Sequence, residues 1–195
     1  SYRRYVATLF DDPRLKGLVQ VGLMPMMTEW LSREPTVVDK IAVFDLPDLW
    51  SAQGYTPVPD KLFFRAVTNM AALDADALFK EHQALWNEYG PLLKDVSGEK
   101  TPIEPGARWA LNHIGKLANN LGVLMEDMDR GDLAMESYQS ARSLDTNNVS
   151  ALLNMLSLAQ REKKPELVDL QIELNRTMQG IRGRLNLWSL AQNCG

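Results

Sequence analysis

Apolar and small residues recur three and four places apart along most of this chain, the spacing that lines one face of a helix. The pattern is clearest from Ala118 to Asn148, where Leu121, Gly122 and Met125 share one helical face and Ala134, Tyr138 and Ala141 share another. Two such narrow stripes pack antiparallel. Gly122 and Ala134 let the backbones approach closely, and Tyr138 fills the space beside them. Asp129-Arg130-Gly131-Asp132 supplies a turn with a glycine and a capping aspartate, and Asp145-Thr146-Asn147-Asn148 stops the second helix. The spacing predicts a helical hairpin.

The pattern then returns in weaker form. Val149 to Arg161 carries Leu152, Leu153, Met155, Leu156 and Ala159, Lys163-Lys164-Pro165 breaks it, and Glu166 to Met178 supplies a second helix. In this copy Leu156 and Asn175 stand where the first has a glycine and an alanine. Asn186 to Ala191 reads as the first helix of a third copy, truncated by the end of the chain at Gly195.

These residues resemble a tetratricopeptide repeat, a helix-turn-helix unit of about 34 residues that recurs in stacks. Counted from Gly115, the match rests on Leu121, Gly122, Ala134, Tyr138 and Ala141. The chain departs from the family at Ala118, Met125 and Thr146, where tryptophan, tyrosine and proline are favoured, and its turn glycine falls late.

The resemblance implies that the first helices of successive copies line a concave face. Carried over to this chain, that face comprises Lys116, Asn119, Asn120, Val123, Glu126 and Asp127, then Ser150, Leu153, Asn154, Ser157, Gln160 and Arg161. Asn120 and Asn154 fall at equivalent places. An asparagine amide both donates and accepts, so the two suit the backbone of an extended peptide or, equally, the free backbone groups at helix starts. Family members that grip a C-terminal carboxylate use a lysine where this chain has Asn119 and an asparagine where it has Val123. A peptide or folded protein held by mixed polar and apolar contacts is therefore the expected partner.

Residues 1–105 lack the repeat. Leu15 to Leu31 is an apolar helix candidate that Pro25 should kink or divide, too short and interrupted to span a membrane. Its Met24, Met26 and Met27 suit a core contact, or else a surface for a membrane or partner helix. The run Ile41 to Trp50 has no partner strand in view, and Pro47, Pro57 and Pro59 point to a packed extended loop anchored by Trp50 and Tyr55. From Pro59 the spacing of Leu62, Phe63, Ala66, Val67 and Met70 predicts a helix, and Asp74 should cap a longer one reaching Leu92. After a polar loop at Ser97 to Pro102, a helix from about Ala107 leads into the repeats. The expected fold is all-α, with an N-terminal helical region over 1–105 packed on repeats over 106–195.

Composition narrows the function. With 45% hydrophobic residues in 195, the chain can bury a sizeable core, and a net charge of −4 argues against general nucleic-acid binding. One cysteine, Cys194, permits neither an internal disulfide nor a cysteine-based zinc cluster. The two histidines, His82 and His113, have no metal-ligand companions in sequence, and no phosphate loop or nucleophile elbow is present. No cofactor, metal or catalytic group is thus expected. The start at Ser1 and the incomplete third copy suggest a segment of a longer protein, or a processed precursor. The favoured reading is a protein-interaction scaffold. Its alternatives are an assembly or regulatory domain of a membrane-associated protein, and an enzyme with its site around Asp45 and Asp48 in the 44–59 loop. The sequence names no compartment and no oligomeric state.

Overall fold

The computed structural model describes residues 2–44, 50, 51, 53–98 and 100–182. The fold is all-α, mostly helical with one small sheet. The chain divides into two compact units at Ala72–Leu73, earlier than the expected boundary near residue 105.

In the first unit, helices α1 (Tyr2–Thr8), α2 (Pro13–Val21) and α3 (Leu23–Arg33) precede a 3-10 segment at Pro35–Lys40. Asp12 caps α2, accepting from the backbone N–H groups of Arg14 at 2.7 Å and Leu15 at 3.1 Å. The apolar stretch from Leu15 to Leu31 divides at Gly22 rather than at Pro25. Pro25 instead lies in the first turn of α3, where a missing N–H forfeits no helical hydrogen bond. Met26 is buried with Val6, Leu15 and Val19, which makes it a core residue, while Met24 is exposed. No helix among the described residues is long and apolar enough to cross a membrane.

Among its described residues this unit also has three short strands, β1 (Ala42–Val43), β2 (Thr56–Asp60) and β3 (Phe63–Val67), antiparallel in the order β1-β3-β2. The helix expected from Pro59 is therefore a hairpin, and the Ile41 run does find a partner, with Val43 opposite Phe64. Phe63, Ala66 and Val67 satisfy a helical spacing, yet burial alternates, with Phe64 and Ala66 inside and Phe63 outside. Two prolines fit in β2 because it is an edge strand, where an N–H facing away from the partner needs no acceptor. Trp50 is fully buried among Leu31, Val37, Val38 and Ala66, and Tyr55 meets it edge-on at 6.0 Å. Asp45 and Asp48 lie outside the described residues.

The second unit is an array of consecutive helices: α4 (Ala75–Ser97), α5 (Glu104–Asp127), α6 (Gly131–Leu144), α7 (Val149–Arg161) and α8 (Leu167–Arg182). Each packs on the next, and α4 also contacts α6. Asp74 caps α4 as expected, accepting from the N–H of Ala77 at 3.0 Å. Arg130, in the α5–α6 turn, holds Asp76 of α4 through two hydrogen bonds of 2.7 and 3.1 Å, which ties α4 to the hairpin. The expected third-copy helix at 186–191 lies outside the described residues.

The α5–α6 hairpin closes on the residues that the spacing singled out. Leu121, Met125, Ala134, Tyr138 and Ala141 are all fully buried. A Cβ on Gly122 would stand 2.3 Å from Cε1 and 2.5 Å from Cδ1 of Tyr138, so the helices cross at a separation that only glycine permits there.

Both first helices end in the same way. Asp129 and Lys163, 34 positions apart, adopt the left-handed region with φ of 58° and 55°. After Asp129, the N–H of Arg130 reaches back to Met125 O at 2.8 Å; after Lys163, the N–H of Lys164 reaches Ala159 O, also at 2.8 Å. These are the paired capping bonds of a helix end that usually takes glycine. Asp129 takes that place, Gly131 begins α6, and the N-cap of α6 is Arg130 with no side-chain cap, so no aspartate caps this helix.

Gly122→Ala should test the crossing. Glycine to alanine inside a helix ordinarily stabilises by about 1 kcal/mol. Here overpacking against a buried ring should outweigh that by about 1–2 kcal/mol, lowering the thermal midpoint. Gly106→Ala in the same helix, where a Cβ meets nothing within 4 Å, should not lower it. A midpoint raised by Gly122→Ala would refute the close crossing.

A second prediction concerns acid. Hydrogen bonds from Arg130 hold Asp76 and Asp132 below the ordinary carboxylate value of 3.8. A depressed folded-state pKa means that the stabilisation is full above that ordinary value and is lost as pH falls through the lower folded one. These pairs are solvent-exposed, so the effect is small. Melting of Arg130→Met beside the parent chain should show a deficit at about pH 7 that vanishes by about pH 2; a deficit persisting in acid would mean that Arg130 acts through something other than these carboxylates.

Candidate partner-binding face

On α5 the residues Lys116, Asn120, Val123 and Asp127 follow one another at helical spacing along one side, and all are at least partly open to solvent. On α7 the equivalent side carries Ser150, Asn154, Ser157 and Arg161, with Leu153 beside Asn154 at the place that Asn119 holds on α5. Of these, Leu153, Ser157 and Arg161 are exposed and Ser150 and Asn154 half-buried. Val123 and Leu153 are apolar side chains that are 41% and 44% exposed.

Two of the expected residues do something else. Asn119 is buried, because at 100° per residue it turns off the stripe towards α7, and its Oδ1 accepts from Asn154 Nδ2 at 3.0 Å. This contact joins α5 to α7, so Asn154 serves packing where its counterpart Asn120 does not. Asn148 makes a further link, its Oδ1 accepting from Ala151 N at 3.0 Å and its Nδ2 donating to Gly115 O at 3.3 Å.

Glu126 is the centre of a second junction. Tyr138 donates its hydroxyl to Glu126 Oε1 at 2.5 Å, and Arg161 of α7 pairs with Oε2. Burial first, and then the Glu126 carboxylate, push the Tyr138 phenol well above its ordinary value, so it stays protonated and remains a donor. The interior of the first hairpin is thereby connected to the surface of the second.

Beside this junction the two α5 and α7 end turns frame an open cleft of about 410 Å³ lined by Glu126, Asp127, Asp129, Gly131, Arg161 and Glu162. Four carboxylates face one guanidinium there. Arg161 is engaged by Glu126, and Glu162 pairs with Lys164 at 3.0 Å. Asp127 and Asp129 have no ion-pair partner among the described residues.

The far end of the α5 stripe differs. Trp109 is 58% exposed and stacks on His113, with ring centroids 5.7 Å apart and planes 4° from parallel. Both continue the line of Lys116, Asn120 and Val123. The spacing of Trp109 from His113 and Lys116, four and then three residues, is what puts it on this side.

His82 is buried on α4 with Nδ1 2.9 Å from Leu78 O, and His113 lies under Trp109. No group of histidine, cysteine, aspartate or glutamate among the described residues could hold a metal ion. No family model, curated protein or solved structure matches the chain.

The two asparagines should separate on mutation. Asn154→Ala leaves the buried Asn119 carbonyl without its donor and should cost about 1–2 kcal/mol in urea denaturation. Asn120→Ala should fall within about 0.5 kcal/mol of the parent. Equal losses would show that the α5–α7 amide contact is not the one that matters.

Proposed function

We propose that this chain is a protein-interaction scaffold of the tetratricopeptide type, which holds a peptide or protein segment on the shared face of α5 and α7. The observation that carries this reading is the presence of Val123 on α5 and Leu153 on α7, apolar side chains 41% and 44% exposed, on two helices fixed to each other by Asn119–Asn154 and Glu126–Arg161. Rigid apolar positions flanked by polar ones suit a binding surface, since ordering such a surface costs little on association. The repeat type is supported by the left-handed turn residues 34 positions apart and by the Gly122–Tyr138 contact.

The test is affinity capture from the source cell with the parent chain and with Val123→Ser/Leu153→Ser, both verified as folded by circular dichroism. Loss of two central apolar contacts should weaken a genuine partner about tenfold or more. Partners retained equally by the variant would rule out this face as the site.

A further inference from the structure

The face is electrically polarised along its length, and this restricts what can lie on it. Lys116 is exposed and has no ion-pair partner among the described residues. Three helical turns further on, Asp127 and Asp129 stand at the mouth of the 410 Å³ cleft, where carboxylates outnumber the single guanidinium. Between the poles lie the uncharged Asn120 and Val123 on α5, with Leu153, Asn154 and Ser157 on α7.

We infer that the occupant is an extended peptide segment that places a lysine or arginine in the cleft beside Asp127 and Asp129, apolar side chains on Val123 and Leu153, and an acidic side chain near Lys116. This rests on the interaction-face reading above and specifies its partner. Charge complementarity supplies the argument. A neutral or acidic segment would leave Asp127 and Asp129 facing apolar or like-charged groups, which costs binding energy, whereas a basic side chain gains from both. The cleft is open and large enough for a guanidinium with its aliphatic stem, which packs while the charged head remains near water.

Spacing follows from helix geometry. Eleven residues of α5 separate Lys116 from Asp127, about 16 Å at 1.5 Å per residue. An extended peptide covers that distance in about five residues. The acidic and basic side chains of the segment should therefore stand about four to six residues apart, with apolar positions between them.

Selection of a random twelve-residue phage-displayed library on the full 195-residue chain tests this, followed by fluorescence anisotropy with the selected peptides as labelled synthetic probes. The expected winners carry lysine or arginine. They should bind Asp127→Asn/Asp129→Asn about five- to tenfold more weakly and should weaken with added salt, because exposed charge contacts are screened. Both substitutions are at exposed positions and preserve side-chain size, so the variant should fold as the parent does. Winners without basic residues, or unaffected by the Asp127/Asp129 variant while still lost with Val123→Ser/Leu153→Ser, would overturn the basic-peptide inference and leave the scaffold standing. Winners indifferent to the Val123/Leu153 variant, or no enrichment at all, would overturn both.

Discussion

The contact of Gly122 with the Tyr138 ring sets the distance at which α5 and α6 cross, and other features of the second unit depend on it. With the ring seated against bare backbone, its hydroxyl reaches Glu126 on the helix it packs against. Glu126 in turn holds Arg161 at the end of α7. A larger residue at position 122 would displace the ring, then the carboxylate, and then the guanidinium on the neighbouring hairpin. Packing inside one hairpin and charge placement on the next are thus parts of one connection.

That connection explains why the cleft between the end turns is negative. Arg161 could have balanced the carboxylates around it, but its charge is committed to Glu126, which also accepts from a phenol that stays protonated. The excess is left to Asp127 and Asp129. At the opposite end, the Trp109–His113 stack and Lys116 give the same helix an aromatic and basic character. A face with one field direction distinguishes partners by orientation as well as by composition.

The hairpin was legible because its signal is steric. Gly122, Ala134, Tyr138 and Ala141 have few alternatives where two backbones come close, so their sizes and spacing reveal the packing. The cap at Asp74 was legible for a similar reason, since a carboxylate before a helical run has a specific set of donors to meet. The β2–β3 hairpin was not, because Phe63, Ala66 and Val67 fit both helical and strand periods, and only pairing to β1 decides between them. Asn119 escaped because one helical step moves a side chain from groove to interface, and that rotation depends on where α7 lies. The domain boundary was obscured by α4, whose affiliation with the array rests on contacts such as Asp76–Arg130 that join residues far apart in sequence.

The left-handed turn residues have a cost of their own. Glycine would adopt φ near 60° freely, while a residue with a Cβ is disfavoured there by roughly 1 kcal/mol. The chain keeps Asp129 in that conformation, at the mouth of the cleft, where glycine would relax the backbone but remove a carboxylate. Lys163 adopts the same conformation 34 positions later and gives that turn the opposite charge. Each turn therefore exchanges some conformational ease for a charged side chain, so the sign of charge at the rim of such an array can be reset from turn to turn without altering the helices beneath.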